Sequence, residues 1–528
     1  MVVNGRIKKG EYFDSVSLMV VGKEVAALEG VIDAAVVMGT KENKAILRAA
    51  GLLIGEFEGA DDTDLLIAVK AKSGKAAREV QEKVDGLLDG LKKKKGAAGE
   101  EYRPRSIEGA LKALPDANLA LISVAGRYAG DEAMKALEKG LHVMLFSDNV
   151  SIEKEIELKN YAKEKGLLVM GPDCGTAIIN GAPLAFANVV SRGAVGLVGA
   201  SGTGLQEVAS IISNEGCGVS QAIGTGGRDV KREVGGVMFL EGLKALAQDE
   251  ATEVIVLVSK PPHKEVLERI GKELGRVKKP VVSVFLGAEP GCLKKYGVHG
   301  TATLEEAAMT AVALAKGKPP REAAKLLRSR DKELKSLAEK AAARRGKGQK
   351  YLRGLFSGGT FCTEAEVVFE GVIRPLYSNA PAGKALKLED ALKSRMHTVV
   401  DLGADEFTVG RPHPMIDYSL RNRRIAQEAG DPETAVILLD VVLGYGSNPD
   451  PAAELAPVIR EASKNVAIVC FITGTDKDPQ GRKRVEKALK AAGALMAPTS
   501  TAGCRLAADI VRQSGAGRGK NTSSKAAA

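Results

Sequence analysis

The sequence predicts an α/β protein of several domains whose sheets are mostly parallel. Short apolar runs rich in Val and Ile alternate with segments of helical periodicity, which is typical of parallel sheets covered by helices. The chain has 528 residues, enough for about three to four domains, and part of it is repeated. Its 60 Gly and only 4% aromatic residues favour tight strand-to-helix turns over aromatic cores.

The first domain is predicted over residues 1–100 as a small βαββαβ unit. Gly and Glu dominate the stretch 96–101, which we interpret as a linker. The expected strands and helices alternate in the order Ser15–Val21, Lys23–Leu28, Ile32–Met38, Asn43–Ala49, Asp64–Val69 and Ala76–Leu91.

The second domain is predicted over residues 101–191, with the strand–helix alternation of a Rossmann-like layer. Its last strand, Leu167–Met170, runs directly into a turn-prone loop. Open α/β sheets bind ligands at the carboxyl ends of their strands, so this loop is a candidate binding loop, although its composition alone is that of an ordinary turn. Its candidate residues are Gly171, Pro172, Asp173 and Cys174.

An internal repeat is the most informative feature of the chain. The motif [SG]-G-T-x-x-x-E follows an apolar run at 201–207 and again at 358–364. The apolar runs and helical segments after each motif stay in step. The repeat predicts two flavodoxin-like domains, at 192–315 and 351–512, the second with an insertion around 374–417.

The two copies are separated by a basic segment, residues 316–350. It holds thirteen Lys/Arg and four Asp/Glu, a surplus of nine that accounts for most of the net charge of +10. Its Leu residues have helical spacing and no aromatic residues interleave with the charges, so we interpret it as a solvated basic helical linker and not as a nucleic-acid site. The tail at 513–528 is rich in Gly, Ser, Ala and Lys, and is expected to be disordered.

Composition excludes several classes of protein. No apolar run approaches the ~20 residues that span a bilayer, and the first residues lack the pattern of a signal peptide. The six Cys lie far apart with no C-x-x-C pair, so no metal site is expected. We therefore expect a cytoplasmic protein with reduced thiols that binds neither membrane nor nucleic acid.

The repeated motif predicts an anion site at a helix start. Backbone N–H groups and the positive end of a helix would point to one spot there, and Gly allows a ligand to approach closely. We expect Glu207 and Glu364 in the first turn of their helices, either as catalytic carboxylates or as ordinary capping-box residues. The expected anion-binding residues are Ser201, Gly202 and Thr203 in the first copy, and Gly359 and Thr360 in the second.

Further candidates follow later strands of the two copies. His413 lies between two prolines and next to Arg411, so its backbone is restricted, as expected for a presented side chain. A rigid surface turn is the alternative, and the role of His299 is left open. The remaining candidate anion-binding residues are Gly226 and Gly227 in the first copy, and Gly474, Thr475 and Asp478 in the second.

At these residues the chain resembles the α subunit of succinyl-CoA synthetase and, more closely, the FdrA family of acyl-CoA-synthetase-like proteins. The loop 171–174 looks like the α subunit's GPNC loop, and 201–207 is similar to its SGTxxxE motif, whose glutamate faces a phosphohistidine. The turn at 223–227 is similar to its VGIGGD turn, whereas 410–414 looks like FdrA. The resemblance implies a Rossmann-like domain of the CoA-binding type over 101–191, followed by two succinyl-CoA-synthetase-like domains.

Two departures from the synthetase pattern matter. The GHAGA loop that supplies the phosphorylated histidine is missing, because Phe285–Tyr296 passes directly to His299, which aligns with the later strand. The N-terminal segment lacks the Gly-rich turn that holds CoA, so CoA is left open as a ligand. No ATP-grasp pattern is present, and nucleotide chemistry would therefore require a partner chain.

The FdrA resemblance implies a carbamoyl- or acyltransferase subunit, of the oxamate carbamoyltransferase type found in allantoin and purine breakdown. Its partners would be companion subunits of the pathway, including a carbamate kinase, and its substrates small anions such as carbamoyl phosphate or an acyl phosphate. An ADP-forming acyl-CoA ligase that carries phosphate on His413 or His299 is the runner-up. A non-catalytic scaffold subunit is the third hypothesis, and a homodimer is one assembly left open.

Overall fold

The chain divides by its internal contacts into two units, which are described separately. One contains residues 1–116 and 404–417, the other 117–403 and 418–528. Most of the predicted linker 96–101 and tail 513–528 lies outside the described residues. This computed structural model describes residues 2–11, 13, 15–26, 28–96, 104–346, 348–408 and 412–515.

The first unit is built on a three-stranded antiparallel sheet in the order β1-β3-β2. The strand predicted at Ser15–Val21 is wrong, because these residues begin a helix whose buried Leu18, Val21 and Val25 have helical spacing. The first strand is Val2–Lys8, and the order of elements is βαβαβα and not βαββαβ. The elements are β1 (Val2–Lys8), α1 (Ser15–Ala26), β2 (Val31–Met38), α2 (Lys41–Ala49), β3 (Leu65–Ala71) and α3 (Gly74–Gly96), with two short helices, α4 (Ile107–Ala113) and α13 (Asp405–Thr408).

The second unit begins with a small parallel sheet in the order β4-β5-β6. Strands and helices alternate in it, as predicted for a Rossmann-like layer. Ser151 caps the second helix by accepting a hydrogen bond from the backbone N–H of Lys154. The elements are β4 (Leu119–Ile122), α5 (Gly126–Glu138), β5 (His142–Leu145), α6 (Ile152–Glu164) and β6 (Val169–Met170).

A seven-stranded sheet follows, in the order β8-β7-β10-β9-β11-β12-β13. Its last five strands are parallel, and β7 and β8 form an antiparallel hairpin at one edge. The inner strand β11 reads Val-Ile-Val-Leu-Val-Ser and is buried throughout, as expected of a strand covered on both faces. The elements are β7 (Thr176–Ile179), β8 (Ala182–Ala185), β9 (Arg192–Gly199), α7 (Gly202–Asn214), β10 (Val219–Gly224), α8 (Val237–Gln248), β11 (Val254–Ser259), α9 (Lys264–Leu274), β12 (Val281–Phe285), β13 (His299–Thr301) and α10 (Leu304–Ala315).

The second seven-stranded sheet has the order β16-β15-β17-β14-β18-β19-β20 and is parallel. The order β17-β14-β18-β19-β20 matches β10-β9-β11-β12-β13, and both are the flavodoxin-like order 2-1-3-4-5. The extra strands β15 and β16 lie in the predicted insertion. The elements are β14 (Tyr351–Phe356), α12 (Gly359–Phe369), β15 (Leu376–Ser378), β16 (Leu386–Lys387), β17 (His397–Asp401), α14 (Ser419–Gly430), β18 (Thr434–Val442), α15 (Pro451–Ala462), β19 (Ala467–Thr473), α16 (Arg482–Ala491), β20 (Leu495–Ala497) and α17 (Ser500–Gly515).

The basic segment between the copies forms one helix, α11 (Pro320–Ala342). Its apolar face is buried, and its Arg330 forms ion pairs with Glu215 and Glu305 of the first copy. Its Asp331 pairs with Arg505 of the second copy. The helix was predicted correctly, but α11 packs against both copies and is not a solvated linker.

Among the described residues, no helix combines the length and the apolar character needed to cross a bilayer.

Candidate functional site

The two repeated motifs meet at the starts of their helices. Ser201 precedes α7 and Thr360 lies in the first turn of α12, and their hydroxyl oxygens are 2.7 Å apart. Gly358 lies so close to α7 that a Cβ there would be 2.7 Å from Cγ2 of Thr203. The prediction that both motifs follow a strand and begin a helix is confirmed. The structure brings the two candidate anion-binding segments together.

The joined helix starts are suited to an anion. Thr203 and Thr360 are buried, whereas Ser201, Gly202 and Gly359 are half-exposed beside them. In the described part of the chain no side chain caps either helix start, so the first N–H groups and the positive helix ends are available to a ligand. The α12 start carries a nearby carboxylate, since a Cβ on Gly359 would lie 2.6 Å from Asp401 Oδ2. The α7 start is therefore the stronger anion-binding half.

The two motif glutamates do not lie where they were predicted. Glu207 and Glu364 are the sixth residues of α7 and α12, in the second turn, and cannot form a capping box with their own helices. Glu207 accepts hydrogen bonds from the backbone N–H of Ser500, the first residue of α17, and from Thr473 Oγ1. Each of its partners belongs to the opposite copy.

Glu364 contacts the opposite copy through one of its three partners, the N–H of Leu304. It accepts hydrogen bonds from the backbone N–H of Leu304, the first residue of α10, and from the hydroxyls of Ser500 and Thr501. Each copy thus supplies a carboxylate that caps the last helix of the other copy. Burial raises the pKa of Glu364 to about 7 and also raises the pKa of Glu207, against the opposing effect of these hydrogen bonds. This geometry supports a structural role, and catalysis by either glutamate stays a prediction.

The candidate loop at 171–174 packs against the candidate turn at 226–227, which follows β10. A Cβ on Gly226 would lie 2.3 Å from the carbonyl oxygen of Pro172, so the two loops touch backbone to backbone. Burial raises the pKa of the Cys174 thiol to about 12, which makes it a poor nucleophile. Of the candidates in these loops, Gly171 is buried, whereas Asp173 and Gly227 are exposed at the surface.

A buried lysine holds this second turn in place. Lys159 donates from Nζ to Glu155, to Asp229 and to the carbonyl oxygen of Thr225, at 2.7–2.9 Å. Asp229 also accepts from the backbone N–H of Phe239 in the first turn of α8. The turn is therefore fixed by an internal ion-pair network, and ligand binding by Gly226 and Gly227 stays a prediction.

The candidate loop after β19 is filled by the chain itself. Asp478 accepts hydrogen bonds from Asn188 Nδ2 and from the backbone N–H of Val189, at 3.1 and 2.7 Å. Thr475 donates from Oγ1 to the carbonyl oxygen of Val189, and Asn214 donates to the carbonyl oxygen of Gly474. A ligand at Gly474, Thr475 and Asp478 would have to displace residues 188–189, so the structure contradicts their assignment as an open anion site.

Residues 187–188 pack against the loop that follows β18, and this contact predicts the effect of a substitution at Gly444 in that loop on stability. The φ of Gly444 is +104°, and a Cβ there would lie 2.4 Å from the backbone carbonyl oxygen of Ala187. We expect Gly444→Ala to lower the free energy of unfolding by about 2–3 kcal/mol, because backbone strain and a clash with backbone coincide. Gly430→Ala is the control, since nothing lies within 4 Å of a Cβ there. Equal urea midpoints for the two variants would contradict this interpretation.

His299 lies far from the helix starts, and His413 belongs to the other unit and is described by itself. His299 begins β13 and pairs with Val282 near the start of β12, whereas α7 begins at the opposite, carboxyl edge of the sheet. Nδ1 of His413 accepts from the backbone N–H of Met415, and burial lowers the pKa of His413 to about 4. It is therefore neutral near pH 7. Gly410 and Arg411 lie outside the described residues, and an anion site formed by Arg411 and His413 stays a prediction.

Sequence reasoning missed a cavity of about 410 Å³ in the second unit. Its walls come from the ends of β11 and β12, one face of α12 and the insertion of the second copy. Lys260 and Glu366 are two of the charged residues that line it. In the repeat, the residue equivalent to Lys260 is Val442 and the residue equivalent to Glu366 is Ala209. A charged residue in one copy opposite an apolar residue in the other was the signal available in the sequence.

Three family models match parts of the chain. They are described as "AllF, heavy metal-associated domain" over residues 1–104, "CoA binding domain" over 190–286 and "CoA-ligase" over 355–510. The uncharacterized protein YahF of Escherichia coli K12 is 42% identical over 502 residues, covering 94% of this chain and 96% of YahF. This chain belongs to the FdrA-like family.

More distant matches include a curated relative and a solved structure. The α subunit 2 of succinate–CoA ligase (ADP-forming) from Archaeoglobus fulgidus is 30% identical over 225 residues, covering 40% of this chain and 76% of that protein. The crystal structure of PH0766 from Pyrococcus horikoshii OT3 is 16% identical, covers 78% of this chain and 87% of that chain, and has a TM-score of 0.33. The FdrA-like chain is related to the α subunit of succinate–CoA ligase.

The residues present do not fit the metal that one of these models implies. Residues 1–104 contain neither Cys nor His, so they lack the thiolate and imidazole ligands that heavy metals prefer. The first turn of a Rossmann-type domain normally holds a nucleotide's pyrophosphate. In the segment matched as CoA-binding, Gly358 and Thr360 lie beside this turn, and CoA stays open as a ligand.

Proposed function

We propose that this FdrA-like chain is a carbamoyltransferase subunit that binds a small anionic substrate where α7 and α12 begin. One observation carries the proposal. The Ser201 and Thr360 hydroxyls are 2.7 Å apart, with half-exposed Gly202 and Gly359 beside them. Two helix starts that converge in this way favour phosphate or carboxylate groups through N–H donors and aligned helix dipoles.

The proposed reaction is the phosphorolysis of oxalurate and its reverse. A phosphate oxygen attacks the carbamoyl carbon and forms a C–O bond. The C–N bond to the oxamate nitrogen then breaks, and that nitrogen takes up the proton that phosphate releases. The products are carbamoyl phosphate and oxamate, and the reaction needs no oxidant, reductant or covalent enzyme intermediate.

The residues at the helix starts can orient and stabilise these anions. The backbone N–H groups of Gly202 and Thr203 lie in the first turn of α7 and can donate to phosphate. The hydroxyls of Ser201 and Thr360 can turn from each other toward a ligand. A donor aimed at the oxyanion of a tetrahedral intermediate contributes about 3–4 kcal/mol in known enzymes.

An ADP-forming acyl-CoA ligase is the second candidate function. The "CoA-ligase" model matches residues 355–510, which favours ligase ancestry for the second copy. A ligase of this kind needs a histidine that carries phosphate to the helix starts. The segment after β12, Leu286–Gly297, contains no histidine, which favours the transferase.

The test is the formation of carbamoyl phosphate from oxalurate and phosphate, with and without the companion subunits and with and without added CoA. We expect product only with oxalurate and phosphate, independent of CoA. In parallel, radiolabelled ATP or GTP should leave no acid-labile phosphate on this chain. A stoichiometric phosphohistidine would favour the ligase, and a chain dispensable to the reaction would favour a scaffold.

A further inference from the structure

The two flavodoxin-like copies offer the same crevice twice, and within the described residues the chain fills one of them. In the second copy, the crevice between the β18 and β19 loops and α7 is occupied by Asn188. Asn188 donates to the carbonyl oxygen of Leu443 at 2.9 Å and accepts from Gln206 Nε2 at 3.2 Å. It is almost completely buried. The crevice therefore fits a planar polar group, here a carboxamide.

Strand register identifies the matching crevice in the first copy. Leu197 pairs with Val256 in one sheet as Gly354 pairs with Leu438 in the other. Counting along the strands and helices from these pairs gives three equivalences. They are Pro261 with Leu443, Gly287 with Gly474, and Thr363 with Gln206.

The first copy's crevice is the cavity of about 410 Å³. Pro261 and Thr363, the counterparts of the two residues that bind Asn188, both line it, and so does Gly287, the counterpart of Gly474. Its volume is within the range of small-molecule pockets. The wall is fixed, because Glu366 of α12 accepts a hydrogen bond from the backbone N–H of Ala382 in the insertion at 2.5 Å.

The chemistry of the cavity differs from that of the filled crevice. Lys260 stands where the second copy has the buried Val442, and Arg374 adds a second exposed cation to the lining. Lys384 also lines the cavity, but it is paired with Glu370 at 2.6 Å. Glu366 also lines the cavity near Lys260, and its carboxyl is held by the insertion through Ala382. The remaining wall is mostly apolar and includes Leu286, Val367 and Ile373.

We propose that this cavity is a second ligand site, which binds a small organic carboxylate with an apolar body. A carboxylate has the planar shape of the Asn188 carboxamide, and Lys260 supplies the charge that Val442 lacks. Burial of the apolar body against α12 and the insertion supplies most of the driving force. The site is separate from the anion site at the starts of α7 and α12 and goes beyond the proposed carbamoyl transfer.

The test measures hexanoate and benzoate binding to the full-length protein by calorimetry and ligand-observed NMR. Hexanamide and hexylamine serve as uncharged and cationic probes of the same size. We expect both carboxylates to bind and both comparison probes to bind at least tenfold more weakly. Equal binding of hexanamide and hexanoate, or no carboxylate binding by the wild type, would overturn the proposal.

Two variants locate the binding. Lys260→Gln should weaken carboxylate binding at least tenfold, whereas Lys264→Gln, an exposed lysine outside the cavity, should leave it unchanged. Val367→Phe should abolish it by filling the cavity, since Cγ2 of Val367 lies 3.8 Å from a Cβ placed on Gly287. Wild-type affinity in both cavity variants would place the binding elsewhere and overturn the proposal, whatever the outcome of the carbamoyl-transfer assay.

Discussion

Replacing Glu364 by Ala should lower the free energy of unfolding by about 3 kcal/mol and the thermal midpoint by roughly 5–10 °C. The carboxylate accepts from the backbone N–H of Leu304 and from two hydroxyls, those of Ser500 and Thr501, all inside the protein. Ala would leave the buried N–H of Leu304 without its acceptor, although Thr303 still caps α10. It would also leave a cavity beside that N–H. Urea unfolding of the full-length chain measures the effect. Glu461→Ala, at an exposed glutamate paired with Lys464, is the control and should change little.

The raised pKa of Glu364 predicts that the stability of the protein depends on pH. Its pKa is about 7 in the folded protein against an ordinary 4.5, so between these values the unfolded chain has released a proton that the folded chain retains. Stability should therefore fall as the pH rises from 4.5 to 7. Glu364→Gln keeps one acceptor oxygen but cannot titrate, and this fall should be smaller in that variant. An unchanged slope would show that other groups cause it.

The repeat and its sheets were predictable because their signals are local. Each copy presents an apolar strand, a Gly-Thr turn and a helix in immediate succession, and parallel strand order follows from that alternation. The segment Ser15–Val21 was wrongly predicted as a strand, because its three Val residues are of a β-branched type that favours strands. The helical period of its apolar residues was the better signal. Leu18, Val21 and Val25 already had the i, i+3, i+7 spacing of a helix.

The partners of the site residues could not be predicted in the same way. Asn188 and Asp478 are 290 residues apart, and Glu207 and Ser500 are 293 apart. A motif indicates that a carboxylate lies near a helix start, but the packing of the two copies decides which helix it caps. For the same reason, two equivalent sets of loops at the carboxyl edges of the sheets differ. In the first copy these loops line a cavity, whereas in the second copy they bind residues 188–189 of the chain itself.

Replacing Ser201 by Asp should reduce kcat/KM for oxalurate phosphorolysis at least about a hundredfold, which is roughly 2.7 kcal/mol of transition-state stabilisation. Ser201 precedes α7 at the half-exposed point where the two helix starts meet. A carboxylate there would occupy the N–H donors of α7 and repel phosphate and carboxylate substrates. Asp is also a good N-cap, so the helix should be at least as stable as in the wild type. The assay is run with the companion subunits present.

Ser201→Asn separates charge from shape in this prediction. Asn has the size of Asp and is an equally good N-cap, but it carries no charge. We expect a loss at least tenfold smaller than that of the Asp variant, and calorimetry with inorganic phosphate should show binding to the Asn variant but not to the Asp variant. The Asp variant should also lose its activity without a drop in thermal midpoint, because the change removes an anion site and not a packing contact. Equal activities in the Asp and Asn variants would show that no anion binds where α7 and α12 meet.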